Sequence, residues 1–219
     1  MRLPLKLTRV VPIACVAALW PGASGAHPHI FIDAGLRVIM EDGYVTAVEV
    51  TWLYDGLYSL ILLEDYGLDE DFDLALTDAE VEAHLGFDLN WNSGFEGGLE
   101  LRRGDVALEI GAPEAVSMEL VGEGQMRTVH RRPVVDPGGD GVFVAQAYDP
   151  EFYIAFEMTG EMVVDGADCV PGLERADLDA AYAVLDAAME EIGGAVAAED
   201  NFPAVGAYFA DRVVFACGG

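Results

Sequence analysis

Residues 31–54, FIDAGLRVIMEDGYVTAVEVTWLY, contain two apolar runs joined by a short acidic, glycine-containing segment. Both runs are rich in β-branched and aromatic residues, whereas Glu41, Asp42 and Gly43 form a polar break between them. Apolar runs separated by a few residues that include glycine are typical of a β-hairpin. The stretch therefore predicts two antiparallel strands, and the remaining elements are placed in relation to them.

The residues after this hairpin change to a helical pattern. In DGLYSLILLEDYGL, residues 55–68, apolar side chains recur at helical spacing in Leu57, Leu60 and Ile61. A second helix is predicted to start at Thr77, because Glu80 three residues later completes a capping-box signature. The sequence thus predicts a helical insertion near residues 56–86.

The rest of the chain is dominated by short strand-like runs separated by Gly, Pro and Asp. An alanine-rich segment at residues 176–197 has helical periodicity, and DRVVFAC, residues 211–217, is predicted as a last strand. Regular short strands with turn signals favour an antiparallel sheet or sandwich. We therefore predict a single α+β domain over residues 27–219, mostly antiparallel, with a C-terminal helix followed by the last strand. The strand-like runs are LELRR, VALEI, AVSMELV, MRTVHRRPVV, VFVAQAY, FYIAFEM and EMVVDG.

The first 26 residues have the pattern of a secretory signal peptide. Basic residues precede an apolar run that is too short to span a bilayer, and Ser24 and Ala26 occupy the −3 and −1 positions of a cleavage site. Cleavage after Ala26 would leave a periplasmic protein that begins at His27. No later segment is apolar enough for a membrane helix, so the mature chain is not expected to span the membrane.

The chain is strongly acidic, with 39 Asp and Glu against 11 Lys and Arg, which gives a net charge of −28. Such a surface repels nucleic acids and anionic lipids and attracts cations. Adaptation to high salt is an alternative origin of this charge. Nucleic-acid partners are therefore not expected.

Two cysteines, Cys169 and Cys217, lie outside the predicted signal peptide. In an oxidising compartment such a pair most simply forms one disulfide, which would join a loop after a strand to the last strand. A pair of thiolate metal ligands is the alternative, although no CxxC spacing supports it. We predict the disulfide.

The predicted mature start, HPHIFID, contains two of the four histidines. On an extended chain His27, His29 and Asp33 point to the same side, and cleavage would give His27 a free α-amine. Two imidazoles and a carboxylate suit zinc, and an amine with an imidazole also suits copper. The alternative is a frayed polar end without a ligand.

A second candidate metal site begins at Asp69, in LDEDFDLALTDAEVEAHL. Asp69, Asp71, Asp73 and Glu80 occupy positions 1, 3, 5 and 12 of the EF-hand calcium spacing. Position 6, which is normally glycine at positive φ, is Leu74, and a leucine in that conformation is costly. The sequence leaves two alternatives open: a weak calcium loop that departs from the usual geometry, or a relic that only connects two helices.

Signatures of catalysis are scarce. No serine lies in a nucleophile elbow, and neither a phosphate-binding loop nor a dinucleotide fingerprint is present. His84 and His130 are isolated histidines, of a type that is usually half-buried and structural. We therefore predict a binding protein rather than an enzyme. A copper enzyme that uses the N-terminal amine, His27 and His130 is a minor alternative.

Four segments together resemble one bacterial family, the domain of unknown function 1007, also called the periplasmic component of an uncharacterised ABC-type transport system. His27 and His29 match its HPH start, Asp55 matches the acidic position after its Trp, and Cys169 and Cys217 match its cysteine pair. Leu74 departs from the D-x-D-G-D-G loop of many relatives. The segments are AHPHIFID, VEVTWLYDGLYSLILLEDYGLD, VFVAQAYDPEFYIAFEM and the last strand ending at Cys217.

Members of that family are commonly encoded beside permeases of the nickel/cobalt type, and one branch has a zinc-uptake role. The resemblance thus implies a periplasmic divalent-metal-binding protein that serves an inner-membrane metal permease. Zinc is the favoured metal, and nickel, cobalt or copper are alternatives. A non-catalytic structural or interaction module with an EF-hand-like calcium loop is the competing interpretation.

Overall fold

The computed structural model describes residues 28–91, 95–135, 141–194 and 202–217. Four helices lie in these ranges, α1 (Gly56–Tyr66), α2 (Asp78–His84), α3 (Leu178–Ile192) and α4 (Gly206–Phe209), together with 3₁₀ turns at Phe87–Leu89 and Glu96–Gly98. The strands of the described residues are β1 (Ile30–Glu41), β2 (Tyr44–Tyr54), β3 (Leu99–Arg103), β4 (Val106–Ala107), β5 (Glu114–Val121), β6 (Gln125–Pro133), β7 (Val142–Ala147), β8 (Ile154–Glu157), β9 (Met162–Asp165), β10 (Cys169–Glu174) and β11 (Arg212–Cys217).

The predicted hairpin is confirmed as the centre of the first sheet. Strands β1 and β2 are antiparallel, with Ile32 opposite Tyr54 and Glu41 opposite Tyr44. Asp42 and Gly43 both have positive φ, 52° and 81°. Two successive residues in that region match the twist of a two-residue hairpin turn, which explains the acidic, glycine-containing break in the sequence.

The first sheet has the order β5-β6-β2-β1-β8, with β9 also on the outer side of β1. Its pairs among β5, β6, β2 and β1 are antiparallel. Strands β8 and β9 instead run parallel to β1, and each pairs with a different part of it. The predicted α+β, mainly antiparallel architecture is confirmed, and the parallel edge is an addition that the sequence pattern did not indicate.

The second sheet has the order β10-β11-β7-β3-β4, and its pairs are antiparallel. Cys169 is the first residue of β10, so the expectation that it lies in a loop is wrong. The segment CVPGLE contains a proline and a glycine, which mask its strand character. It can still form a strand because β10 is at the edge of the sheet, where a missing N–H is tolerated.

The hydrophobic core includes side chains of both sheets in one buried cluster. In β1, alternate residues such as Ile32, Ala34 and Val38 are buried, whereas Phe31 and Asp33 are exposed. The second sheet contributes Leu101, Phe143, Ala145, Val213 and Phe215. This period-two burial is that of sheets with one face in the core.

Helix α1 follows β2 and packs on the first sheet through Ser59 and Leu62, which are buried. The Ser59 hydroxyl accepts a hydrogen bond from the Met126 N–H of β6 at 2.9 Å. Helix α3 is mostly exposed, with Ala181 buried and Tyr182 packed edge-on against Phe209 of α4. None of the helices in the described ranges combines the length and apolar character needed to cross a bilayer.

Candidate functional site

His29 is held against the folded body just before β1. Its backbone N–H donates to the Tyr153 carbonyl at 2.8 Å, and its exposed ring lies 4.7 Å from the Tyr153 ring, centre to centre. His27, its predicted co-ligand, lies outside the described residues. The described part of the histidine start is therefore fixed by hydrogen bonding and by ring packing.

Asp33 lies further along β1, on the exposed side of the strand, as the alternation predicted. Its Oδ1 accepts a hydrogen bond from the Thr159 hydroxyl at 2.7 Å. Four residues of extended chain span roughly 13 Å at about 3.3 Å per residue. His29 and Asp33 therefore lie too far apart along the strand to bind the same metal ion, although their side chains point to the same side.

The acidic loop brings three of its predicted ligands together. Asp69, Asp71 and Asp73 each offer a carboxylate oxygen, and these oxygens lie within 4.8 Å of one another. In the described parts of the chain, no other group of three potential metal ligands meets that distance. Asp69 is buried, 4% exposed, and its Oδ1 accepts from the N–H groups of Asp73 and Leu74 at 2.9 and 3.1 Å.

Leu74 adopts the conformation that glycine normally supplies at this position, with φ at 63°. The loop thus retains the left-handed turn at its sixth residue in spite of the side chain. A Cβ added at Gly124, in the turn between β5 and β6, would lie 3.3 Å from Leu74 Cδ2, so the leucine reaches that turn. Contact with this turn helps to offset the cost of the backbone conformation.

Glu80 closes the loop through its own hydrogen bonds. Its Oε1 accepts from the Asp69 N–H at 2.8 Å, and its Oε2 accepts from the Thr77 hydroxyl and N–H at 2.6 and 2.7 Å. The predicted capping box is confirmed, since the Glu80 N–H also donates to the Thr77 hydroxyl. The bonds from Thr77 and from the Asp69 backbone lower the pKa of Glu80. Glu80 would have to leave these partners to become a fourth ligand.

Asp55, the acidic residue shared with the family pattern, is the N-cap of α1. Its Oδ1 accepts from the N–H groups of Leu57 and Tyr58 at 2.9 and 3.0 Å, and its Oδ2 accepts from the Phe31 N–H at 3.1 Å. One carboxylate therefore satisfies two free N–H groups at the helix start and joins the helix to β1. This geometry gives Asp55 a structural role.

An aromatic cleft of about 470 Å³ lies between α1, residues 87–91 together with Phe95, and the loop before β8. No local sequence pattern indicates this site, because its rings come from segments that are distant along the chain. Phe156 is buried in the core, whereas Tyr153, just before the start of β8, is exposed at this cleft. The aromatic residues that line it are Trp52, Tyr54, Tyr58, Tyr66, Phe87, Trp91, Phe95 and Tyr153.

Asp88 places a half-buried carboxylate in this cleft. Its Oδ2 accepts from the Tyr54 hydroxyl at 3.0 Å and from the Thr128 hydroxyl at 2.6 Å. Burial raises the pKa of Asp88, an effect that these two hydrogen bonds partly oppose. Burial and the Asp88 charge together raise the pKa of Tyr54. A titratable group shifted by burial within a cleft is a candidate for ligand binding.

His130 lies behind the cleft, with its ring 4.8 Å from Trp52 and 5.6 Å from Trp91. It is 1% exposed, and neither ring nitrogen has a hydrogen-bond partner within the described residues. Burial, assisted by the charge of Arg132, lowers its pKa to about 4. His84 lies at the end of α2, with its ring 5.4 Å from that of Tyr66, one of the rings that line the cleft. His130 is thus a buried neutral residue, enclosed by indole rings.

Cys169 and Cys217 are directly opposite each other in the antiparallel β10–β11 ladder. Opposite residues in such a ladder have Cα atoms about 4.5–5.5 Å apart, which is within the range that disulfides span. The backbone register therefore supports the predicted disulfide.

Taken together, the two sheets, the capped helices after the first hairpin and the converging acidic loop define the chain as an α+β protein built on a long central hairpin. A family model described as protein of unknown function (DUF1007) matches residues 12–217, and the chain belongs to this family. None of the curated proteins matches it.

Proposed function

We propose that the chain is an exported divalent-metal-binding protein that serves a membrane metal permease, with zinc as the favoured metal. The observation that carries this proposal is the attachment of His29 to Tyr153, through a backbone hydrogen bond of 2.8 Å and a ring contact of 4.7 Å. This attachment favours a fixed ligand over the frayed end that is the alternative.

The ligands would be the His27 and His29 side chains with the α-amine created by cleavage. Asp33, held by Thr159, would act as an orienting or electrostatic partner rather than as a direct ligand. A site with few protein ligands leaves coordination positions open to a group on an acceptor. That openness suits delivery of the ion to a permease, and the proposal assigns no catalytic residue.

The charge of the chain supports the same role. A net charge of −28 raises the local concentration of cations and would favour a basic docking surface on the partner. Because exposed charges are screened over roughly 8 Å at physiological salt, this docking would weaken as salt is added.

The test is native mass spectrometry of the secreted, processed protein, combined with elemental analysis. We expect a mass that starts at His27 and carries one zinc ion. His27→Ala/His29→Ala should lose the ion, whereas the control His84→Ala, which removes an imidazole on α2, should keep it. A protein without zinc, or zinc that both variants retain, would contradict the proposal.

The converging carboxylates favour a second candidate function, a non-catalytic module stabilised by calcium. Three carboxylates within 4.8 Å of one another repel each other, and a hard divalent cation relieves that repulsion. The left-handed Leu74 supports this candidate, because the loop has the turn that calcium ligation requires.

The calcium candidate is tested by thermal unfolding with and without excess calcium. At one hundred times the dissociation constant, binding stabilises by about 2.7 kcal/mol, or roughly 5–10 °C for a chain of this size. Asp71→Asn/Asp73→Asn should abolish the shift. Asp179→Asn/Asp186→Asn on α3, which removes the same charge elsewhere, should preserve it. An equal shift in both variants would identify general charge screening instead.

A further inference from the structure

The aromatic cleft is a different site from the two candidate metal sites. Its volume, about 470 Å³, is that of a small-molecule pocket. Neither lysine nor arginine nor histidine is among its lining residues as the structure describes them, whereas Asp88, Asp149 and Glu151 are. The cleft therefore disfavours anions and offers a cation several π faces and negative charge.

Asp88 has spare capacity for a ligand. Its side-chain hydrogen bonds within the described residues, from the Tyr54 and Thr128 hydroxyls, both end on Oδ2. Its own backbone N–H also bonds to the carboxylate and lowers its pKa. A carboxylate has about four acceptor positions, so these three bonds leave room for a further donor. The Tyr54 ring is held beside this carboxylate by its own hydroxyl, and the Tyr58 ring is 5.6 Å from that of Tyr54. A carboxylate with one aromatic ring beside it, in a cleft lined by further rings, has the components of a cation–π site.

Asp149, by contrast, is occupied by the fold. Its carboxylate accepts from the N–H groups of Glu151, Tyr153 and Ile154 at 3.0–3.1 Å and so shapes the loop before β8. Glu151 is exposed, so among the three acidic side chains in the lining Asp88 is the one that combines partial burial with spare acceptor capacity.

We propose that this cleft binds a small organic cation, whose ammonium group lies against the Asp88 carboxylate and the Tyr54 and Tyr58 rings. The ligand is an amine or quaternary ammonium compound with an apolar body that fits between the indole and phenol rings. Since a bound cation favours the ionised carboxylate, binding also offsets the burial that raises the pKa of Asp88.

Two probes of the same shape test the role of charge. Choline is compared with its neutral isostere 3,3-dimethylbutan-1-ol by intrinsic tryptophan fluorescence, since Trp52 and Trp91 both line the cleft. We expect saturable binding of choline and affinity for the alcohol at least tenfold weaker. Equal affinities, or no saturable change up to tens of millimolar choline, would overturn the proposal.

Variants then test the residues. Asp88→Asn keeps acceptors for Tyr54 and Thr128 but removes the charge, and it should weaken choline binding at least tenfold. Asp105→Asn, in the exposed turn between β3 and β4, is the charge-matched control and should bind choline like the parent chain. If both variants bind equally, Asp88 does not hold the cation.

Tyr58→Leu gives a second measurement that does not depend on how Asp88→Asn folds. Tyr58 is half-buried on α1, and leucine retains the helix while removing the π face. It should lower the affinity for choline while leaving weak binding of the neutral alcohol unchanged. Loss of both to the same extent would indicate a steric effect and overturn the cation–π assignment.

His27→Ala/His29→Ala should leave choline binding intact, so failure of the metal proposal and failure of this one are distinguishable.

Discussion

At the scale of single residues, His130 shows how burial changes the chemistry of a side chain. In the unfolded chain a histidine has a pKa of about 6.5, whereas the folded value of His130 is about 4. Between these values the unfolded chain binds one more proton, so stability falls as the pH is lowered through this window. At about 1.4 kcal/mol per pH unit, the loss across the window is about 3 kcal/mol.

Replacing His130 should remove this part of the pH dependence. When the pH is lowered from 7 to 4, the free energy of unfolding of His130→Leu should fall by about 2–3 kcal/mol less than that of the parent chain. Urea unfolding at both pH values measures this difference. His84→Leu, at the end of α2, is the control and should follow the parent chain. An unchanged pH dependence in His130→Leu would show that His130 takes up its proton while the chain remains folded.

Leu74 has a backbone conformation in which a glycine variant should be more stable than an alanine variant, the reverse of the usual order. At φ 63°, alanine keeps the strain of about 1 kcal/mol and loses the side chain that reaches toward the turn at Gly124, whereas glycine relieves the strain. We expect Leu74→Gly to be more stable than Leu74→Ala by about 1 kcal/mol in denaturant unfolding without calcium. A more stable alanine variant would mean that the left-handed turn is not maintained.

At the scale of elements, Asp55 connects helix α1 to strand β1 of the first sheet. It caps α1 and accepts the Phe31 N–H of β1. We expect Asp55→Ala to lower the free energy of unfolding by about 1–2 kcal/mol, as for the loss of a helix cap. Asp55→Asn should restore most of this, because its amide oxygen can still accept at the helix start.

The control for this substitution is Asp65→Ala, near the other end of α1. An acidic residue there faces the negative end of the helix dipole, so its removal should be neutral or slightly stabilising. If both alanine variants lower the free energy of unfolding equally, the effect of Asp55→Ala arises from the loss of a surface carboxylate and not from the loss of the helix cap.

At the scale of the whole molecule, the proposed disulfide would join the two strands at the edge of the second sheet, β10 and β11. Because it would close a long loop, we expect Cys169→Ser or Cys217→Ser to lower stability by about 3–5 kcal/mol. The double variant should be no less stable than either single one, and reductant should have the same effect on the parent chain. Insensitivity to reductant would mean that the two thiols are not joined.

The whole molecule also shows which parts of the fold local pattern could predict. The hairpin, the helical insertion, the capping box at Thr77 and the last strand follow from period-two alternation, helical spacing and turn residues. The strand that begins at Cys169 could not be predicted in this way, because its proline and glycine obscure the strand pattern. The parallel pairing of β8 and β9 with β1 could not be predicted either. Strand partners that are distant in sequence leave no local pattern in either segment.

For the candidate site, the sequence by itself determined which residues are candidate ligands: histidines at a predicted mature start, and carboxylates at positions 1, 3 and 5 of an acidic loop. Only the tertiary structure decided which of them meet. It brought Asp69, Asp71 and Asp73 together, kept Asp33 away from His29 and placed His130 behind Trp52 and Trp91. The aromatic cleft was likewise decided by packing, because its rings converge from segments far apart in the chain. The spacing of side chains within one segment carries no information about how close they lie to the side chains of another.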